Sequence, residues 1–260
     1  MTTGQTIGVA DLGAGDREQM FQLLSGHYLG VAREAFERDL AGKEHVILLR
    51  SGEGEVAGFS TQVRFRMALP DRTVVAVFSG DTIVSERHRG TFETAQQICR
   101  YFRRALSDYP GEEIYWLLIS KGWRTYRVPR LFFKDYAPRE GAPDPRAFGE
   151  IADAFGCAKY PGRYDPATRL IVFPGETQRI RPGSTEAIDH RRSDPQMLFF
   201  EAANPEHGRG NELVCVAPIR EDNFTAAARR LAGYAEVAGQ GENAGKGGIR
   251  ERCGIIRRTL

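Results

Sequence analysis

The residues best suited to chemistry in this chain sit in one short span. Arg87-His88-Arg89-Gly90-Thr91 is a basic, glycine-containing turn, preceded by the apolar run Val74-Val75-Ala76-Val77-Phe78. That run is rich in β-branched side chains and reads as a strand. From Phe92 onward the apolar residues Phe92, Ala95, Cys99, Phe102 and Leu106 recur in steps of three and four, which is one face of a helix. A strand that feeds a helix through such a turn suits an anion, because unpaired amides point outward there and the helix dipole favours negative charge. A solvated, arginine-rich connection would carry the same letters, so the reading depends on the elements around it.

Other chemistries find less support. No Gly-x-Ser-x-Gly segment is present, and Ser79-Gly80 lacks the preceding glycine a nucleophile elbow needs. Cys99, Cys157, Cys215 and Cys253 are far apart, and His27, His45, His88, His190 and His207 show no ligand spacing. The expectation is free thiols in a reducing, cytoplasmic setting and no metal. No run approaches the roughly 18 apolar residues of a membrane span. The first residues, Met1-Thr2-Thr3-Gly4-Gln5-Thr6, do not read as a secretion signal.

The 260 residues are 41% hydrophobic and 27% charged, enough for one core or one core plus an extension. The net charge is +2, but Arg64 to Arg139 holds 14 Lys or Arg against 8 Asp or Glu. A basic half suits an anionic ligand and leaves RNA open, and an arginine-rich solvated surface would give the same count.

The elements that must position the turn follow in order. Asp16 to Ser25, with Asp16 as N-cap, and Ala32 to Ala41 read as two helices separated by a break at Tyr28-Leu29-Gly30. Val46 to Leu49, Val56 to Phe65 and the run from Val74 read as three antiparallel strands, with a kink or bulge at Ser79-Gly80-Asp81. Ile114 to Ile119 is an uninterrupted apolar run, which suits a strand buried on both faces. It completes a βαβ unit with the Val74 strand. Beyond it, Pro129 opens a helix that continues through Leu131 to Tyr136. Gly141 to Pro145 is a linker, Arg146 to Phe155 a helix, Tyr160 to Thr168 a loop and Leu170 to Phe173 a strand. Gln196 to Glu201 and Leu213 to Ile219 read as a late strand pair that closes the sheet. Asp222 or Asn223 caps a last helix carrying Phe224, Ala228, Leu231, Ala235 and Ala238. Gly239 to Gly248 reads as flexible, and its glycines follow no strand, so they do not form a phosphate loop.

This layout resembles the GNAT superfamily of acyl-CoA-dependent N-acyltransferases. The family's pyrophosphate motif, Gln/Arg-x-x-Gly-x-Gly/Ala, corresponds to Arg87-His88-Arg89-Gly90-Thr91-Phe92, with Phe92 departing at the last position. Phe92 either pushes the donor aside or faces the core while amides 88 to 92 bind. Leu131 to Pro138 is similar to the second marker, Leu-Tyr-x-x-x-Gly-Phe, with Phe132 in place of the first tyrosine and Tyr136 at the glycine position.

The resemblance implies an α/β fold: a GNAT-like mixed, mostly antiparallel twisted sheet with one parallel βαβ pair and flanking helices, plus a C-terminal extension. It implies one acyltransferase domain over 1–238, with 140–195 as an insertion or extension and 239–260 as a tail. The implied reaction is direct attack of a small-molecule amine on the thioester of acyl-CoA, with no metal. Ile83, Val84, Arg87, His88, Arg89, Gly90, Thr91 and Phe92 are the implied donor-binding residues. Asp81 is the implied base, with Glu86 as the alternative, although an N-cap role explains Glu86 equally well. Tyr126 or Tyr136 is the implied general acid, where half-buried packing is the competing role. His27 and Tyr28 are acceptor-contact candidates by position, or packing residues. An acyl-carrier protein or aminoacyl-tRNA remains open as donor, as do a non-catalytic acyl-CoA-binding module and a homodimer.

Overall fold

A computed structural model describes residues 2–173, 178–181 and 194–235. An eight-stranded sheet forms the centre, and its strands come in the spatial order β1-β3-β4-β5-β6-β10-β8-β7. These are β1 (Thr2–Gly8), β3 (His45–Ser51), β4 (Val56–Ala68), β5 (Thr73–Val84), β6 (Ile114–Ser120), β10 (Glu212–Pro218), β8 (Leu170–Ile171) and β7 (Tyr164–Asp165). The pair β5–β6 is parallel and every other pair of this sheet is antiparallel. A separate two-stranded pairing joins β2 (Tyr28–Leu29) to β9 (Arg179–Ile180).

The strands alternate as their pleat requires, and each face is covered. On one face Val75, Val77, Trp116, Leu118, Cys215 and Ala217 meet α3 (Glu93–Asp108), whose buried side includes Ala95, Ile98, Cys99, Phe102 and Ala105. Phe102 lies against Trp116, Phe132 and Phe133, with ring centroids 5.2, 6.2 and 5.4 Å away. Burying a side chain of this size contributes about 1.5–3 kcal/mol, and Phe102→Ala would cost about 3–5 kcal/mol.

The opposite face is covered in two parts. Val74, Ala76, Phe78, Tyr115, Leu117, Val214 and Val216 pack on α6 (Arg146–Lys159) through Phe148, Ile151, Ala152 and Phe155. Val46, Leu48, Phe59 and Ile83 pack on α1 (Ala14–His27) and α2 (Arg33–Ala41) through Met20, Leu24, Phe36 and Leu40. The bulged part of β5 is approached from both covers: Lys43, just past α2, lies against Gly80, and Lys159, at the end of α6, lies over Phe78.

Several elements differ from the reading of the sequence. Gln196 to Glu201 is not a strand but part of α7 (Pro195–Ala203). Asp194 caps it by accepting from the Gln196 amide at 3.0 Å, and Pro195 occupies the first turn, a start signal that outweighs a short apolar run. β10 therefore enters the sheet alone between β6 and the two-residue β8. Tyr164–Asp165, within the expected loop, is a strand. The expected helix through Tyr136 ends early: α4 (Trp123–Tyr126) and α5 (Val128–Phe132) are followed by Phe133 and Ala137, which bridge to Phe224 and Val216.

Asp16 is not the cap of α1, which starts after Gly13; its carboxylate instead accepts from Arg50 at 2.8 Å. The last helix among the described residues is α8 (Ala226–Leu231), capped by the Thr225 hydroxyl rather than by Asp222 or Asn223. Ala235 lies beyond it, and Ala238 and the expected tail lie outside the described residues. Among the described residues no helix is long and apolar enough to cross a membrane.

Candidate active site

The site begins where β5 and β6 part. Their parallel pairing runs from Val75–Ile114 to Ser79–Leu118 and stops, while β5 continues to Val84 and β6 to Ser120. The cause is a bulge. Ser60 pairs with Thr82 and Gln62 with Ser79, so Gly80 and Asp81 together oppose Thr61 alone. The extra residue bends β5 away from β6.

Buried polar groups lock the bulge in place. Trp116 Nε1 donates to Ser79 Oγ at 2.8 Å, and Ser79 Oγ donates to Gln62 Oε1 at 2.7 Å. Gln62 Nε2 donates to Ser60 Oγ at 2.9 Å, and the Ser60 and Thr82 hydroxyls are 2.6 Å apart. Gly80 is required by close approach. A Cβ there would stand 2.5 Å from Thr61 Oγ1 and 2.8 Å from Lys43 Cε.

At one end of the gap lies the basic turn. A 3-10 turn covers Glu86–His88, in which His88 N donates to Ser85 O and Arg89 N to Glu86 O. Ser85 Oγ and His88 Nδ1 are hydrogen-bonded at 2.8 Å, and Arg89 pairs with Glu86 at 3.0 Å. The amides of 88 and 89 are thus spent inside the turn. Those of Gly90 and Thr91 meet no acceptor among the described residues. The hydroxyls of Thr91 and Thr94 are buried and also lack a partner among them. Gly90 has φ 83°, where a side chain is disfavoured.

Phe92 is half-buried and sits at the N-cap position of α3, its carbonyl accepting from Gln96 N. Arg87 and Glu86 are exposed, and Ile83 and Val84 are buried. Burial, then the charge of Arg89, then that of Arg124 on α4 hold the His27 imidazole down to about 4, with Glu86 opposing.

Asp81 lies at the other end, half-buried between the two helical covers. Burial and the charges of Asp39 and Glu212 raise its carboxyl, Lys43 and Lys121 lower it, and the balance places it at about 6. Lys121, just past β6, pairs with Glu212 at 3.1 Å, and Lys43 pairs with Asp39. Tyr28 and Tyr160 belong to this cluster. Burial lifts both phenols, and the Asp81 and Glu212 charges lift them further, with Asp39 also acting on Tyr160. The Lys121 ammonium is 5.2 Å from the Tyr28 ring centroid.

Tyr126 and Tyr136 are elsewhere. Tyr126 is 1% exposed, donates to Pro138 O at 3.1 Å and stacks on Phe199 and Phe200. Tyr136 accepts from Gln196 Nε2 at 2.8 Å. Both belong to the core beneath α3, and neither is among the groups acting on Asp81. The structure therefore brings Asp81 together with Tyr28 and not with these two. Sequence reasoning missed Lys43, Lys121, Tyr160 and Glu212. The one local signal for Glu212 is a carboxylate opening an otherwise apolar strand. Among the described residues no three His, Cys, Asp or Glu side chains group as metal ligands.

No protein-family model matches the chain, and no curated protein sequence matches it. Solved structures similar to it include a conserved protein of unknown function from Enterococcus faecalis V583, at 12% identity and TM-score 0.37. A GNAT family N-acetyltransferase from Escherichia coli in complex with CoA is similar at 13% identity and TM-score 0.35. An acetyltransferase from Trypanosoma brucei is similar at 13% identity and TM-score 0.38. These alignments cover 49%, 46% and 56% of this chain, and 31%, 64% and 100% of the respective structures. The chain thus spans less than two thirds of the first two.

Proposed function

We infer that the protein is an N-acyltransferase that moves an acyl group from acyl-CoA directly to the amine of a small molecule. The observation that carries this reading is the parting of β5 and β6 after Ser79–Leu118, with a basic turn of unspent amides following β5 and a raised carboxyl on its bulge. Strand edges that part leave backbone donors and acceptors without a ladder. An extended, amide-containing arm such as pantetheine satisfies them as an added strand would.

The residues of the turn fit a pyrophosphate. The unspent amides of Gly90 and Thr91, the orphaned Thr91 hydroxyl and the start of α3 supply donors, and Arg87, Arg89 and Arg124 supply charge. His88 contributes to the turn through Ser85 rather than through its amide.

In the reaction the amine nitrogen attacks the thioester carbonyl, the new C–N bond forms and the C–S bond breaks. Asp81 takes the proton from the attacking nitrogen, directly or through water. A carboxyl at about 6 is mostly ionised at neutral pH and is a stronger base than an ordinary aspartate. The departing thiolate takes a proton from Tyr28, which burial keeps in its neutral, donating form. In this assignment Tyr126 and Tyr136 are packing residues and Glu86 supports the turn through Arg89.

Saturating CoA is expected to raise the melting temperature by ligand linkage, and acetyl-CoA to do the same. Absence of any shift with CoA, acetyl-CoA or a long-chain acyl-CoA would contradict the direct use of CoA. A shift produced only by acyl-carrier protein or charged tRNA would transfer the donor role to those carriers.

A further inference from the structure

The charges around Asp81 do not cancel at random. Lys43 is neutralised by Asp39 and Lys121 by Glu212, which removes four charges in two internal pairs. Among the described residues Asp81 and Lys159 form no ion pair. Lys159 ends α6, and its ammonium leans over the ring of Phe78, 5.0 Å from the centroid, and stands 5.9 Å from that of Tyr160. Phe78 also carries the Lys43 ammonium, at 5.5 Å. Lys43 Cε stands 2.8 Å from where a Cβ on Gly80 would lie, so the two ammoniums that share the Phe78 ring, Lys43 and Lys159, both lie near the bulge that carries Asp81.

We propose that the acceptor is an amine that also carries an anionic group, with its nitrogen at Asp81 and its anion at Lys159. This deepens the acyltransferase reading and rests on it for the location of the amine. The Lys159 side chain is exposed and accessible to a ligand, and desolvation, then repulsion by the nearby Lys43 ammonium, disfavour its charged form against the opposing attraction of Asp39. An anion placed there relieves that repulsion. Lys159 also complements the carbonyls that end α6, but that role is indifferent to the acceptor's charge.

The test uses the full chain saturated with CoA and matched pairs of acceptors that differ only in the anion. One arm titrates α-amino acids against their primary amides, and the other phosphoethanolamine against ethanolamine, by calorimetry. The anionic member of at least one arm should bind on the order of ten- to hundredfold more tightly, as a charge-assisted contact implies. Lys159→Met should collapse that ratio and Lys159→Arg should retain most of it, while the melting shift produced by CoA reports that both variants are folded. Equal binding of the neutral partners, no binding in either arm, or a ratio untouched by Lys159→Met would overturn the proposal. Thiol release from acetyl-CoA with the same pairs separates the two claims. Transfer to neutral amines as readily as to charged ones would sink the acceptor class and leave the acyltransferase standing. Lys159-dependent binding without thiol release would support the anion subsite and count against turnover.

Discussion

Lys121 and Glu212 form a largely buried ion pair, Nζ to Oε1 at 3.1 Å, that ties the end of β6 to the first residue of β10. The pair sits beyond Ser79–Leu118, where the β5–β6 pairing ends. It also sets the field at Asp81, since Lys121 lowers that carboxyl and Glu212 raises it.

Glu212→Gln should therefore act twice. It leaves the Lys121 ammonium without its counter-charge, at a cost of about 2–3 kcal/mol measurable by urea unfolding. It also removes one of the charges that raise Asp81, so the Asp81 carboxyl should titrate lower than about 6, as followed by NMR. An unchanged Asp81 titration would separate the ion pair from the base.

Asp81→Asn should stabilise the fold at neutral pH. The Asp81 carboxyl is raised from 3.8 to about 6 by folding, so between these values the folded state holds the proton more tightly than the unfolded chain. Stability from this group is full below the lower value, falls as pH rises through the window and is lost above it. The amide substitution removes that loss, so the variant should gain about 1–3 kcal/mol over the parent near pH 8 and much less near pH 4. Denaturant melts at the two pH values provide the measurement, and a uniform difference would argue against a raised Asp81.

At Gly90 the backbone has φ 83°, which asparagine and aspartate tolerate better than other side chains. Gly90→Asn then controls for strain, and Gly90→Asp adds a negative charge beside the unspent amides of Gly90 and Thr91. CoA affinity should fall at least about tenfold further in the aspartate variant than in the asparagine variant, and the difference should shrink with added salt. Equal affinities would move the phosphate site elsewhere.

His27 reports on the same site. Its imidazole is held at about 4 by burial first and then by Arg89 and Arg124. The unfolded chain takes up the proton at the ordinary value of 6.5, so stability from neutral His27 is present above that value and is lost as pH falls toward 4. A bound pyrophosphate compensates both guanidiniums, so CoA should raise the His27 titration, and NMR of the imidazole with and without CoA measures the shift. No movement would place the phosphates away from Arg89 and Arg124.

The parts of this fold that were legible in the sequence are those fixed by local pattern. Val74 to Phe78 and Ile114 to Ile119 alternate or run apolar because both faces of those strands are buried, and α3 carries its core face in steps of three and four. Gly80 marked the bulge because only a residue without a side chain fits beside Thr61 and Lys43. Thr2–Gly8 was missed because it is a polar edge strand with one buried residue, Thr2, held by its pairing to β3 rather than by its own composition. The candidate site was half legible. Asp81 was proposed from its place on its strand, but Lys43, Lys121, Tyr160 and Glu212 approach it from four distant elements, and no spacing records such a convergence. Tyr126 and Tyr136 were drawn in by their place after β6, whereas packing turns both toward the core beneath α3.

The most direct measurement is release of free thiol from acetyl-CoA in the presence of a broad panel of amines, run side by side with parent protein and Asp81→Asn. The account predicts amine-dependent release by the parent and a fall of about 10²- to 10⁴-fold in the variant at unchanged CoA affinity, with partial rescue at higher pH as more amine arrives deprotonated. Tight CoA binding without thiol release for any amine, or an Asp81→Asn rate equal to the parent's, would contradict it.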